Sequence, residues 1–342
     1  MSRIAIIGAG AWGTALSVVL GRSGRHEVKL WAYEKEVRNS IEATRANSVF
    51  LPDQIIPDCV EATDDLTGAL SRAEIVLSAM PSQHCRRLFE QMSRHLSPEM
   101  LIVSATKGLE ETTLLRMTEV IAAVAKKNRK ECRVAALSGP TFAAEVARGD
   151  PTAITIASCD HDLATAVQRE FSDPAFRVYT NDDVVGVELG GALKNIIAIA
   201  AGVCYGLGLG HNSVAALIAR GLAEISRLAV ACGGRAETMS GLAGLGDLVL
   251  TCTGALSRNR SVGVELGRGR KLPEILSGMH GMVAEGVFTT NAAVQLATAR
   301  SVEMPITEQM HAVLNDGKSP RDAIHALMTR SSKRETGVSI SK

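Results

Sequence analysis

The sequence predicts an α/β protein, with an N-terminal Rossmann-type doubly wound sheet followed by an all-α C-terminal domain. Three observations point there. A G-x-G-x-x-G turn, Gly8-Ala9-Gly10-Ala11-Trp12-Gly13, directly follows the apolar run at 4–7. Short β-branched runs then alternate with helical patterns as far as about residue 180. Beyond residue 183 strand signals stop and helical patterns follow one another. Alternating strand and helix marks βαβ units around a mostly parallel sheet. Strands buried in such a sheet should be apolar throughout, as 75–80 nearly is.

In order, strands are expected at 4–7, 28–32, 60–62, 75–80, 101–105, 133–137, 152–157 and 176–179. Helices at 12–21, 82–95, 112–126 and 161–171 lie between them. The second half reads as helices at 184–205, 212–232, 256–267, 284–299, 305–315 and 319–329. Ser319-Pro320 looks like an N-cap followed by an N1 proline. Residues 1–185 are expected to form a dinucleotide-binding domain and 186–330 an all-helical substrate and catalytic domain. The polar stretch 331–342 is expected to be a disordered tail.

Composition narrows the function. The 342 residues suffice for two cores. A formal net charge of +1 offers no field to recruit nucleic acid or an anionic membrane, so any anion must be recognised locally. The seven cysteines are scattered and never spaced C-x-x-C, which favours reduced thiols and no metal site. The strand-like start leaves no room for a signal peptide. No uncharged apolar run reaches the roughly 18 residues of a membrane span. A cytoplasmic protein without stable membrane insertion is expected.

In the glycine turn, Gly8 permits the tight bend, Gly10 lets backbone meet a pyrophosphate, and Gly13 lets helix pack on strand. The helix that follows offers amides and a positive dipole end to the phosphates. Glu34, at the tip of the second strand, sits about 20 residues on, where an acid takes the adenosine 2′-hydroxyl of NAD. It could equally be an acidic residue opening the next helix. Lys35 and Arg38 lie near, so NAD and NADP both remain open. The turns Met80-Pro81-Ser82 and Thr106-Lys107-Gly108 follow later strands at the same sheet edge, where ligands of open α/β sheets bind.

Lys194 carries the chemical signal. It stands in the small-residue run Gly190-Gly191-Ala192-Leu193-Lys194-Asn195, flanked by Val187 and Leu189 before and Ile196 and Ile197 after. An ammonium there must be paired, reach water, or be neutral part of the time. The last is what a proton-transferring lysine needs; the commonest reading of a lone helical lysine is the second. Asp247, also among hydrophobes, needs a cationic partner, and Lys194 is the expected one. Ser257-Arg258-Asn259 reads as a capped helix start with a forked cation and an amide, which suits a phosphate; a capped surface helix is the plainer alternative. The turn Ser138-Gly139-Pro140-Thr141-Phe142-Ala143 could offer amides and a hydroxyl, or simply begin a helix.

Together these motifs resemble the bacterial-type NAD(P)-dependent glycerol-3-phosphate dehydrogenases. The resemblance runs over about residues 4–330, in family order. It includes Asn47 through Leu51-Pro52, Ala105-Thr106-Lys107-Gly108-Leu109-Glu110, and Ala243-Gly244-Leu245-Gly246-Asp247-Leu248-Val249-Leu250-Thr251-Cys252-Thr253. Val283-Ala284-Glu285-Gly286 and Glu303-Met304-Pro305-Ile306 follow. The resemblance implies reversible reduction of dihydroxyacetone phosphate to sn-glycerol 3-phosphate by NAD(P)H, supplying glycerophospholipid synthesis. It implies Lys194 as proton donor and acceptor, with Lys107, Asp247 and Asn195 assisting. Lys107, Gly139, Thr141, Lys194, Asp247, Ser257, Arg258 and Asn259 would bind the phosphorylated triose. The cofactor would touch Ala11, Trp12, Lys107, Ala143, Arg258, Val283 and Glu285, besides the glycines and the Tyr33 strand tip. Tyr33 departs from the Arg or His often found there, and Thr141 is one of two family variants. A homodimer is also implied. Two rival readings share parts of this plan: a ketopantoate reductase or β-hydroxyacid dehydrogenase, and a non-catalytic dinucleotide sensor.

Overall fold

The computed structural model describes residues 1–279, 281–332 and 334–335. Most of the tail expected at 331–342 therefore lies outside the described residues. The strands among the described residues are β1 (Ser2–Ile7), β2 (His26–Trp31), β3 (Ala46–Asn47), β4 (Leu51–Ile55), β5 (Val60–Thr63), β6 (Ile75–Ser78), β7 (Leu101–Ser104), β8 (Arg133–Ser138), β9 (Thr152–Ala157) and β10 (Phe176–Asn181). Eight form one sheet in the order β10-β9-β8-β7-β6-β1-β2-β5, while β3 and β4 pair as a separate hairpin. All neighbours in the large sheet are parallel except β8 and β9. Every strand predicted from apolar runs is present.

Alternate side chains of β1 enter opposite cores. Ile4 and Ile6 pack with Val28, Leu30 and Leu77 on one face, Ala5 and Ile7 with Val76 and Ile102 on the other. Both faces of the central strands are covered, which is why β6, β7 and the 4–7 run of β1 show no polar alternation, whereas β2 alternates through Glu27 and Lys29. The chain winds outward from β1 through β2 to β5, then returns to place β6 on the other side of β1. This reversal opens a crevice at the carboxyl ends of β1 and β6.

Three elements differ from expectation. The helix expected over 82–95 is a 3₁₀ turn, Ser82–His84, running into Cys85–Met92. The helix expected from residue 112 begins only at Met117, because Leu114 takes a left-handed conformation and Leu109 pairs with Arg116 across a short loop. The β3–β4 hairpin was not expected at all; it contains Pro52 and no apolar alternation.

The six helices expected after residue 183 are present, from Val184–Gly206 to Pro320–Met328, and between them lie elements that were not expected: Ala236–Met239, the π-helical turn Leu242–Gly246, Asp247–Thr253 and Leu272–Ser277. The first, Val184–Gly206, is long and apolar enough to cross a membrane, but 83% of its apolar window is buried by the rest of the protein, as a core helix is. The Arg258–Gly267 helix crosses it backbone to backbone. A Cβ on Gly202 would stand 2.0 Å from the Arg260 carbonyl oxygen, and one on Gly263 would stand 1.9 Å from that of Ile199.

Candidate active site

The cofactor turn leaves β1 at the reversal point. Gly8 has φ of 115°, a left-handed conformation that favours glycine. Its Cβ would press 2.9 Å from the Ala79 carbonyl oxygen, just after β6. A Cβ on Gly13 would fall 1.9 Å from the Gly8 carbonyl oxygen, while one on Gly10 would meet nothing within 4 Å. The turn is thus packed shut at its first and third glycines and open at its second, which is the cradle a pyrophosphate requires. Ala11 and Trp12 open the helix Ala11–Arg22, and the buried Trp12 indole N–H meets no acceptor among the described residues. Tyr33 stands exposed beyond β2, its ring tilted against Trp31. Glu34 is the N-cap of Lys35–Thr44 and makes no side-chain capping bond. Arg38 is taken up by Asp64 and Glu42.

The catalytic end is built on the Val184–Gly206 helix. Asp183 caps it, accepting from Gly186 N at 2.8 Å, and also accepts from Arg235 N and the Thr238 hydroxyl. Two glycines then let the helix lie close to its neighbours. A Cβ on Gly190 would be 2.6 Å from the Ala243 carbonyl oxygen, and one on Gly191 2.4 Å from Ser138 Oγ. One turn further comes Lys194, 6% exposed. Its Nζ donates to Asp247 Oδ1 at 2.5 Å and to Thr251 Oγ1 at 2.7 Å. An ammonium has three donors, so one N–H is left for a ligand.

Asp247, completely buried, closes a π-helical turn, Leu242–Gly246, and begins the helix Asp247–Thr253. The expected Lys194–Asp247 pair is present, and a second lysine shares it. Lys107, from the loop after β7, donates to Asp247 Oδ2 at 2.6 Å and to the Gly139 carbonyl at 3.1 Å. One carboxylate thereby holds two ammonium groups, one from the sheet-bearing half and one from the helical half. Burial pushes the Lys194 pKa down to about 8, with Asp247 raising it and Lys107 lowering it further. That value lets the amine exchange a proton near neutrality.

Ser257 caps Arg258–Gly267, its hydroxyl accepting from Arg260 N at 3.2 Å. The Arg258 guanidinium is open to solvent yet crowded by protein. That desolvation pushes its pKa down against the pull of Glu285. Among the described residues no hydrogen bond or ion pair holds it, so its forked donors are free for an anion. Asn259 is partly committed within the protein. Its Nδ2 donates to Asn195 Oδ1 at 2.9 Å and its Oδ1 accepts from Gly286 N at 2.9 Å. It therefore orients Asn195 while one of its two Nδ2 N–H groups stays uncommitted.

Val283 and Glu285 flank the start of the helix Glu285–Ala299. Glu285 accepts from Ser82 N at 3.2 Å and from its hydroxyl at 2.7 Å, tying the turn after β6 to the helical half. Burial raises its carboxyl pKa, while Ser82 and Arg258 oppose the shift. Ala143 opens the helix Ala143–Arg148, and the Thr141 hydroxyl donates to the Gly139 carbonyl at 3.2 Å. The buried Ser138 Oγ has no partner among the described residues. Sequence reasoning missed Thr251. Its signal was present, because a residue four places after Asp247 shares its helix face.

The N-terminal model of the NAD-dependent glycerol-3-phosphate dehydrogenases matches residues 3–164, and the C-terminal model of the same proteins matches 183–325. Glycerol-3-phosphate dehydrogenase (NAD(P)+) of Koribacter versatilis is 70% identical over 98% of this chain and 99% of its own length. The protein of that name from Acidobacterium capsulatum is 56% identical, over 98% and 100%. The crystal structure of glycerol-3-phosphate dehydrogenase from Coxiella burnetii superposes with a TM-score of 0.91 at 40% identity. It covers 96% of this chain and 99% of the other.

Proposed function

The chain belongs to the NAD-dependent glycerol-3-phosphate dehydrogenase family, and on that premise we propose which of its residues carry the reaction. The enzyme reversibly reduces dihydroxyacetone phosphate to sn-glycerol 3-phosphate with NAD(P)H, a reaction that supplies glycerophospholipid synthesis. NAD(P)H, held by the residue 8–13 turn together with Tyr33, Ala143, Val283 and Glu285, would supply hydride to the ketone carbon C2.

Negative charge then grows on the C2 oxygen. Lys194 faces it with its one uncommitted N–H, stabilises that charge and gives up a proton. In the reverse direction neutral Lys194 removes the hydroxyl proton. Asp247 fixes the position of both ammonium groups, and Lys107 adds positive charge beside the oxygen. Asn195, its carbonyl held by Asn259, presents its amide hydrogens to the substrate. Arg258 takes the phosphate, helped by free amides at the start of its helix and by Ser257, Gly139 and Thr141. That remote grip orients the reacting carbon. Residues 8–13, Tyr33, Ala143, Val283 and Glu285 line the cofactor's path.

The observation that carries this reading is the single buried carboxylate shared by Lys194 and Lys107. A dinucleotide sensor has no use for it, and a carboxylate substrate would not call for the free Arg258 fork beside it. We also propose that residues 1–185 serve the cofactor and 186–330 the triose. A homodimer in the cytoplasm completes the reading; seven free cysteines accord with a reducing compartment. The deciding assay follows oxidation of NADH and NADPH with dihydroxyacetone phosphate. Turnover with that ketone and none with ketopantoate is expected. The reverse pattern would overturn the assignment.

A further inference from the structure

The β3–β4 hairpin has no part in the reaction as described, yet it carries the fully buried Asn47. Asn47 Nδ2 donates to the Ala9 carbonyl and to Thr14 Oγ1, both at 2.8 Å, and its Oδ1 accepts from Phe50 N at 3.1 Å. Thr14 Oγ1 itself donates to the same Ala9 carbonyl at 3.3 Å. Ala9 lies between the first two glycines of the cofactor turn.

We propose that Asn47 is a positioning residue for the dinucleotide, acting through the Ala9–Gly10 peptide. In a planar trans peptide the C=O of one residue and the N–H of the next point in opposite directions. Anchoring the Ala9 carbonyl on Asn47 and Thr14 therefore turns the Gly10 N–H away from them. Beside Gly10 a Cβ would find nothing within 4 Å, so the turn has room there for a phosphate. Glycine makes rotation of this peptide cheap, and the turn needs an outside clamp to hold one orientation. The hairpin supplies it from a firm base. Leu51 is buried in the core beside which Ala143 and Ala144 pack, so the clamp rests on the helix that follows the Gly139–Thr141 turn.

The inference rests on reading residues 8–13 as the dinucleotide cradle, and its test uses binding alone, with no triose present. It can therefore fail while the triose assignment stands, and the reverse. Dissociation constants for NADH, by its fluorescence, and for ADP-ribose, by calorimetry, are measured on Asn47→Ala, Thr14→Val and Ser40→Ala. Asn47→Ala removes the 2.8 Å bond to the Ala9 carbonyl and the one that holds Thr14 Oγ1, besides the bond from Phe50 N, and should weaken both ligands about tenfold; Thr14→Val leaves the Asn47 bond to that carbonyl in place and should weaken them about threefold. KM for NADH should rise in step while kcat moves far less. Ser40 anchors the far side of the hairpin, donating to the Ala46 carbonyl at 2.7 Å without touching the turn, so Ser40→Ala should bind as the parent does. Parental affinity in folded Asn47→Ala overturns the proposal, as does an equal loss in Ser40→Ala. Should Asn47→Ala fail to fold, unchanged ADP-ribose affinity in Thr14→Val overturns it alone.

Discussion

The turn over residues 8–13 carries no charged side chain, whereas Lys107, Lys194, Asp247 and Arg258 crowd the catalytic end. On the proposed reading the first region recognises its ligand through backbone, with glycines deciding where protein is absent. The second works through four charges, three of them locked in one buried cluster. Backbone recognition costs little electrostatically because amides are neutral. Side-chain recognition in a desolvated site depends on every partner, since removing one strands the others. The two ends should therefore fail in different ways.

The largest effect is expected at Lys194. Lys194→Ala should lower kcat by about a hundredfold or more, the worth of general acid–base help, while NADH binding stays near parental. Near-normal turnover in single-turnover assays would erase the contrast. Next comes Arg258→Ala. Loss of a charge-assisted fork should raise KM for dihydroxyacetone phosphate about tenfold to a hundredfold, with a smaller change in kcat. An unchanged KM would move the phosphate elsewhere.

A third measurement sharpens the electrostatic half. With the Lys194 pKa at about 8, ketone reduction needs the protonated amine and should decline as pH rises through about 8. Alcohol oxidation needs the neutral amine and should climb over the same interval. Lys107 depresses that pKa, so Lys107→Met should shift both midpoints upward. A midpoint that does not move would mean the two lysines are not coupled.

The smallest effect on turnover is expected outside the cleft, at Glu224. This buried carboxylate caps the Pro305–Asn315 helix, accepting from Ile306 N at 2.7 Å and Thr307 N at 3.2 Å. Burial raises its pKa from 4.5 to about 7. The folded state thus holds the proton more tightly, and the stability linked to it is full below 4.5 and lost as pH rises toward 7. Glu224→Gln removes that loss, so thermal melts should show the variant gaining on the parent between pH 5 and pH 8. Equal melting points across that range would show that the cap, not the titration, governs the site.

Much of this was legible in the chain. The central strands announce themselves because they are apolar on both faces, and the flanking β2 and β10 by the alternation of Val28 and Leu30 with Glu27 and Lys29 and of Phe176 and Val178 with Arg177. The glycine turn declares its use because each glycine answers a separate steric demand. Lys194 and Asp247 could be paired from sequence because both sit as charges among hydrophobes. Lys107 could not be joined to them in that way. It lies in an ordinary loop, and only the folding of the helical half onto the sheet edge brings it to Asp247. The hairpin escaped notice for a similar reason. It has no periodicity, and contacts distant in sequence, such as that of Asn47 with the first glycine turn, hold it in place. Asn259 looked like a phosphate ligand from its neighbours; one of its amide N–H groups goes to Asn195 and its oxygen takes Gly286 N, which leaves the second N–H uncommitted, a division the sequence alone does not show.

The crossing at Gly202 and Gly263 puts the helix bearing Lys194 in direct contact with the helix that starts at Arg258, with no intervening side chains to compress or exchange. The spacing between the two backbones that carry Lys194 and Arg258 is thereby fixed like the jaws of a calliper. Under the roles proposed for Lys194 and Arg258, a longer sugar phosphate would have to be met by the reach of side chains, because the frame that carries them cannot widen without parting the two backbones.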